Sequence, residues 1–552
     1  MPATQEPVDA RAFPCLDERE MQLLAEWGAT ETLRDGQTAF RAGDADIDFF
    51  VVQEGALEIL NPTDGNSHVV THGPGHFVGD IDLLTRRPVI VTAMARGPTR
   101  VLRVPGEKLR NLLNSVPRLS DKILIAFQVR RELLQQQGTL GLKVIGPAHC
   151  ADTNIVREFL YKNFMPFKWY DSDQPEGLVE LKAIGSPTKT PAIECGDGKI
   201  LLNPKLRELA KCAGIWRECP DAECDLAIVG AGPAGIAAAV YAASEGLKTI
   251  VLDRLGPGGQ AGGSSKIENF IGFPAGLSGN DLATRGVLQM LKFGAQMIAP
   301  IDVDRLEPGA TADAPLGLHL DCGTVIHAST VLIATGVAWR KLQARGADRF
   351  ERAGVYYACT AVESRPHEGT DVAVVGAGNS AGQAAMYLAE HCAKTVHLLI
   401  RRDNLGTNMS DYLAERILGQ RNIRVHTGVE VDVVNGSSQI ESIELRRRPD
   451  DGSRQKLACS AIFVFIGAEP HGSWLPDTVA RDNLGYIVTG VDAVTSGRWP
   501  LKDRDPCPLE TTLPRVMAAG DVRSGSTKRV GFAVGDGSLA VTCAHRLRLV
   551  KN

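Results

Sequence analysis

Residues 223–253 read ECDLAIVGAGPAGIAAAVYAASEGLKTIVLD. An apolar run ends in Gly230-Ala-Gly232-Pro-Ala-Gly235, an alanine-rich stretch follows, and a second apolar run stops at Asp253. Strand, glycine turn, helix and strand are the parts of a βαβ unit that binds a dinucleotide. Gly230 permits the tight turn, Gly232 lets backbone approach a pyrophosphate, and Gly235 lets helix and strand pack closely. Pro233 and Ala234 open the helix, whose first N–H groups face the phosphates. Asp253 stands where an acid bonds a ribose hydroxyl. Residues 226–243 carry no charge and have nearly the length of a membrane span, but Gly230, Gly232, Pro233 and Gly235 break it. A strand, a turn and a helix start explain the stretch better than a span does.

A second fingerprint lies downstream. DVAVVGAGNSAGQAAMYLA (371–389) places Gly376, Gly378, Asn379, Ser380 and Ala381 in the same turn-to-helix pattern. The next strand, TVHLLIRRD, ends at Arg401 and Arg402 rather than at an acid. Two cations there favour the extra phosphate of NADP over NAD. Two such units suggest a flavin and a nicotinamide. Ala334-Thr335-Gly336 and the late Gly520-Asp521 support the flavin assignment, and KRVGFAVGDGSLAV (528–541) supplies a glycine-containing helix start. The first unit then closes only at the C-terminus. The FAD-binding domain is expected over 223–343 and 463–552, with an NADPH-binding domain inserted at 344–462.

The stretch GPGGQAGGSSKIENFIGFPAGLSGNDL (256–282) resembles the GGQ and ENFPGFP segments of bacterial thioredoxin reductases. Together the motifs identify residues 223–548 as similar to that family of pyridine nucleotide-disulfide oxidoreductases. The resemblance implies that Gly259, Gln260 and Asn269 lie along the flavin and that Asp521 holds the ribityl chain. It places Arg529 and Val530 at the pyrimidine end, Arg401 and Arg402 on the 2′-phosphate, and a homodimer in solution. It also implies that the two nucleotide domains rotate to bring the nicotinamide over the flavin. One departure decides the chemistry. The family's CxxC followed by an acid reads here Cys359-Thr-Ala-Val362-Glu363, so the flavin-facing thiol is a valine. Without two thiolates no disulfide exchange pair forms there. A further family arginine is Gly406.

Upstream, 1–137 reads as a β-roll with a C-terminal helix. VVQEGALEIL and THGPGHFVGD alternate apolar residues with glycine turns. GHFVGDIDLLTRRPVIVTAMA (75–95) resembles the phosphate cassette of cyclic-nucleotide-binding domains. Gly79 matches, Asp80 replaces the usual glutamate, and Val89 sits where the phosphate-binding arginine belongs. Loss of that bidentate cation removes much of the affinity, unless Arg86 or Arg87 substitutes. The bland alternative is a degenerate sensor fold used for docking, with the helix after Pro117 as a dimer seam. Residues 141–218 resemble a thioredoxin fold. KVIGPAHC and FKWYDSD read as strands, ADTNIVREFLYKN as a helix capped by Asp152 or Thr153, and Thr190-Pro191 as the cis-proline site. That fold's redox site needs two cysteines two apart, and Cys150 stands alone.

The overall expectation is α/β: two Rossmann-type domains, the FAD domain discontinuous, preceded by a β-roll and a thioredoxin-like module. The chain has 552 residues, 44% apolar and 23% charged, with net charge −5. That balance gives no case for nucleic acid or an anionic membrane. The first residues lack the apolar stretch of a secretory signal. Twelve cysteines occur without CxxC spacing, the tightest group being Cys212, Cys219 and Cys224. Scattered thiols point to a reducing cytoplasm and inert core residues. Three readings remain open. The first is an NADPH-dependent flavoenzyme passing electrons to a small molecule or a redox partner protein. The second is a thioredoxin-disulfide reductase using unconventional cysteines. The third is a ligand- or redox-sensing regulator.

Overall fold

The computed structural model describes residues 10–62, 65–137, 140–217, 222–311, 314–405 and 409–548. Cys219 and Gly406 lie outside them. The N-terminal strands Ala29–Leu33, Phe49–Asn61, Ser67–His72 and Thr92–Val104 form an antiparallel sheet. Alternation sends Phe50, Val52, Leu57 and Val101 inward, each 2% exposed or less. The sheet is followed by helix α1 (Pro117–Gln137). Its Leu119, Ile123, Ala126 and Phe127 are fully buried, and they share one core with helices of the first dinucleotide domain. That apolar face is therefore covered by the chain itself and is not free to act as the dimer seam expected from its spacing.

Within the stretch expected at 141–218, residues 142–212 form a small α/β unit around one four-stranded sheet. Strand Leu142–Gly146 pairs parallel to Phe167–Asp171 and antiparallel to Ala192–Glu194, which pairs with Ile200–Leu202. The Thr190-Pro191 bond is cis. Helix α2 (Ala151–Lys162) crosses between the first two strands, as a right-handed parallel connection requires. Its N-cap is Cys150, not Asp152 or Thr153. Thr153 points inward and is fully buried. Cys212 is bonded to Cys195 in a disulfide, so it is neither an inert core thiol nor part of a group with Cys224.

The first dinucleotide domain centres on parallel strands Gln296–Ile298, Thr249–Leu252, Ala222–Val229 and Val325–Ile333, in that order. The last of these pairs with Leu316–Leu320 at its start and with Val516–Ala518 at its end. The C-terminal segment thus returns to complete the sheet. Helices α3 (Pro233–Ser244), α4 (Gly279–Phe293) and later α6 (Val530–Leu547) cover it. The inserted domain carries five parallel strands, ordered Val355–Tyr356, Ala461–Val464, Asp371–Val375, Thr395–Ile400 and Ile423–Thr427. Helix α5 (Asn379–His391) follows the second fingerprint. Strand Ala461–Val464 spans the boundary drawn at 462, so this sheet runs to Val464. Two short antiparallel strands, Val337–Trp339 and Ala468–Pro470, join the domains.

Candidate functional site

The first fingerprint forms a cradle of backbone. Gly230 has φ +108°, and a Cβ there would lie 2.4 Å from the Ala334 carbonyl oxygen. A Cβ on Gly235 would lie 1.9 Å from the Gly230 carbonyl oxygen. Gly232 is the N-cap of α3, and no side chain caps that end. The first N–H groups, at Pro233's successors Ala234 and Gly235, therefore open forward with a positive helix end. Gly259 stands across from Gly232, and Gln260 donates to the Val337 carbonyl. Ala334, Thr335 and Gly336 border the cradle, with Ala334 N–H bonded to Val229. Gly520 abuts Ala234, and a Cβ there would meet the Ala234 methyl at 3.1 Å. The fold thus brings the late Gly-Asp pair to the start of α3. Burial raises the Asp521 carboxyl above its usual range. Arg529 caps α6, and Val530 is its first residue.

Asp253 fastens the turn itself: its Oδ2 accepts from Ala231 N–H at 2.8 Å, and its Oδ1 accepts from Leu255 and Gly256. Asn269 is exposed just beyond residues 254–265, the loop that the family resemblance lays along the flavin, hereafter the flavin loop.

The second fingerprint repeats the cradle. Gly376 has φ +146°, and a Cβ there would meet the Phe465 carbonyl oxygen at 2.5 Å. Gly378 caps α5, with open space within 4 Å of an added Cβ. Ala381 is buried beneath it. Asn379 is tied to Ser410, donating to its Oγ at 2.9 Å and accepting its N–H at 2.8 Å. Ser380 is exposed and lines the cleft between the domains. Arg401 and Arg402 are exposed beyond their strand. Both cradles fit the phosphates of a dinucleotide, since only glycine avoids the backbone clashes and no side chain occupies the helix ends.

Between the cradles lies the segment 357–363. Cys359 N–H donates to the Gly263 carbonyl at 3.4 Å, so this segment stands on the flavin loop. A narrow cleft of about 30 Å³, room for one or two waters, opens beside it, lined by Gln260, Ser264, Trp339, Cys359, Gln383 and Phe465. Cys359 is 2% exposed, and burial pushes its thiol well above its ordinary value. It is free, as is Cys150. Val362 is 8% exposed. Glu363 accepts from the N–H and hydroxyl of Thr360, and burial raises its carboxyl. It caps a turn. Behind it His367 bonds Tyr356 at 3.2 Å and Ser460 at 2.9 Å, and burial lowers it to about 3. Among the described residues no cluster of His, Cys, Asp or Glu is arranged to hold a metal ion, and no helix is long and apolar enough to cross a membrane.

Sequence reasoning missed Arg157. This side chain is 4% exposed, stacks 4.0 Å over the Trp169 ring, and donates to the Val362 carbonyl at 3.2 Å. Helix α2 therefore covers the backbone at the altered position. The one available signal was an arginine and an asparagine inside an otherwise apolar helical stripe.

The N-terminal cassette is filled from within. Arg131 is 1% exposed and bonds Asp80 at 2.5 Å and Asp82 at 2.8 Å. Burial raises the Asp82 carboxyl to about 6 despite that cation. Val89 points into the β-roll core. Arg87 donates to the Asn163 carbonyl at 2.6 Å, and Arg86 is exposed, 3.8 Å from Asp46. Both candidate substitute cations thus have partners within the chain.

Comparison with known proteins agrees with this geometry. Residues 224–537 match the pyridine nucleotide-disulphide oxidoreductase family, and residues 30–116 match the cyclic nucleotide-binding domain. The chain is 33% identical to "NADPH-dependent thioredoxin reductase 3" of Arabidopsis thaliana over 58% of each chain. It is 32% identical to the thioredoxin reductase of Treponema pallidum, over 58% of this chain and 95% of that one. Thioredoxin reductases of T. acidophilum and Lactococcus lactis superpose with TM-score 0.52 at 26% identity, covering 59% of this chain and 98% of each of theirs. With its two glycine cradles and the matched span of 224–537, the chain belongs to the pyridine nucleotide-disulphide oxidoreductase family, of thioredoxin reductase type, with a cyclic nucleotide-binding domain at its N-terminus.

Proposed function

We propose that the chain is an NADPH-dependent FAD oxidoreductase whose electrons leave to an acceptor other than a dithiol of its own. The observation that carries this is Val362 in the segment against the flavin loop, between two intact cradles. Gly230, Gly232, Gly235 and Gly259 would hold the FAD pyrophosphate, and Asp521 and the start of α6 the rest. Gly376, Gly378 and α5 would hold NADPH, with Arg401 and Arg402 on its 2′-phosphate. When bound, the two cofactors supply the hydride chemistry themselves. The protein binds them, orients them and controls access. Ala358 and Cys359 now cover the Gly263 face. A turn of the inserted domain on the two joining strands would uncover that face for a nicotinamide bound at Gly378. Every described cysteine outside the 195–212 pair is free, which supports a reducing, cytoplasmic setting, while the Cys195–Cys212 bond counts against it.

Purified, FAD-loaded protein should be yellow, and NADPH should bleach it anaerobically faster than NADH. A colourless protein after reconstitution sinks the reading. A panel of quinones, oxygen and redox proteins then identifies the acceptor by flavin reoxidation. The names of the matched relatives favour a second reading, reduction of thioredoxin disulfide. It requires a thiol route, and activity unchanged in both Cys150→Ser and Cys359→Ser would remove it.

A further inference from the structure

Helix α2 touches both dinucleotide domains, and its two ends touch different ones. At its C-terminal end, Lys162 Nζ donates to the Gly259 carbonyl at 3.4 Å. Asn163 Nδ2 donates to the Leu255 carbonyl at 2.8 Å. Both acceptors belong to the flavin loop. The same end is held from the N-terminal domain. Arg87 reaches the Asn163 carbonyl, and Arg131 reaches the Phe164 carbonyl at 3.1 Å. Toward its N-terminal end the partners change. Asn154 Nδ2 donates to the Arg352 carbonyl at 2.7 Å. Glu158 accepts from Arg352 at 2.7 Å. Arg157 donates to the Val362 carbonyl. All three of these contacts reach the inserted domain, through Arg352 and Val362.

We propose that α2 is a brace that holds the inserted domain against the flavin loop, so that release of its N-terminal contacts gates the domain turn. The inference rests on the function proposed above, because the turn matters only if a nicotinamide must reach the flavin. The contacts are unequal in a way that suits a gate. Glu158 sits between Lys162, at 3.2 Å on its own helix, and Arg352. Its carboxylate, held below its usual range against burial by those two cations, keeps Lys162 when the inserted domain leaves. Arg157 keeps Asn154 and the Trp169 ring. Glu158, Asn154 and Arg157 thus each retain at least one partner after release, Asn154 through the Ala148 carbonyl. The C-terminal anchors stay in place throughout. Arg352 is poised for this role, since it sits at φ +61° on a turn that aims both its carbonyl and its guanidinium at α2. Because the cassette residues Arg87 and Arg131 hold the fixed end, the N-terminal domain serves as the brace's footing.

Amide hydrogen exchange on the FAD-loaded full chain, without nicotinamide, tests the brace directly. The variants are Arg352→Ala and Glu158→Gln, both at partly exposed side chains, with Arg352→Lys as the charge-keeping control. Loss of one charge-assisted bond should speed exchange in 257–265 and 355–363 by about tenfold. Exchange in 119–131 should stay unchanged, and Arg352→Lys should restore most of the protection. NADPH bleaching should accelerate by a similar factor in the same two variants. Unchanged exchange in both variants overturns the brace. So does a uniform rise that includes 119–131 and is not restored by lysine. A selective rise without any bleaching by NADPH supports the brace and refutes the reductase reading instead.

Discussion

At Gly79 and at Gly232 the chain builds the same kind of feature, a glycine leading into a helix, and treats it in opposite ways. At Gly232 the helix behind is α3, twelve residues long, its N-terminus free of any capping side chain. At Gly79 the helix behind is only Asp82–Thr85, and two carboxylates on the turn already hold a buried guanidinium. An anion site needs unpaired N–H groups and a net positive field. The first region keeps both. The second carries two carboxylates on its turn, paired with Arg131, and no free cation at Val89. Retaining a fold's backbone is therefore separable from retaining its site. The cassette has become part of a domain junction, and the cradle has stayed a cradle.

The comparison breaks most visibly at Gly235. A valine there would drive its Cβ into the Gly230 carbonyl oxygen, 1.9 Å away, and rigid backbone cannot yield that much. Gly235→Val should abolish FAD retention, read as the flavin absorbance per mole of protein. Full flavin occupancy in this variant would show that the cradle is not the site.

Arg131 tests the other region. Arg131→Met removes the cation and leaves Asp80 and Asp82 facing each other, Asp82 3% exposed. Breaking one side of a buried pair costs about 3–5 kcal/mol. A chemical melt should show that loss, in the transition that reports the N-terminal domain. The Asp82 shift adds a pH sign. Its folded value, about 6, exceeds the ordinary aspartate value of 3.8. Between those values the folded state holds more proton, so this group makes stability fall as pH rises from about 4 to 6. Asp82→Asn should remove that slope, and an unchanged slope would assign it elsewhere.

The exposed pair Arg401 and Arg402 gives a smaller, selective effect. Charge-assisted bonds to a phosphate contribute about 1.5–3 kcal/mol. The double change to alanine should raise the NADPH concentration for half-maximal bleaching by about 10- to 100-fold and leave that for NADH unchanged. Equal losses for both would place the arginines away from the 2′-phosphate.

What the sequence made legible follows distance along the chain. Gly230, Gly235 and Gly376 announce themselves because their constraint is a local φ and a short spacing. Val362 is legible because its neighbours Cys359 and Glu363 mark the register. The partners of α1 and α2 are not legible. Arg131 with Asp80, Arg157 with Val362 and Asn154 with Arg352 each join residues far apart, and nothing in an arginine's own neighbourhood says which carbonyl or carboxylate it meets. The Cys195–Cys212 bond is hidden for the same reason, since twelve cysteines allow many pairings. Asp253 is a middle case: its position was legible, but its two oxygens turned out to hold the turn.

The smallest expected effect is none. Cyclic AMP or cyclic GMP at millimolar concentration should leave the melting temperature where it is. Val89 is buried in the β-roll core, Arg87 is spent on Asn163, and an incoming phosphate would face Asp80 and Asp82 across Arg131. Binding would have to unmake that pair first, at a cost of about 3–5 kcal/mol, around half the whole affinity of a micromolar ligand, about 8 kcal/mol. A ligand present at a hundred times its dissociation constant stabilises by about 2.7 kcal/mol, a shift that is easy to measure. Such a shift would mean that the guanidinium swings away and the cassette reopens. It would also place a ligand switch at the footing of α2, and the contrast between filled and open cradles would become one between two states of the same device.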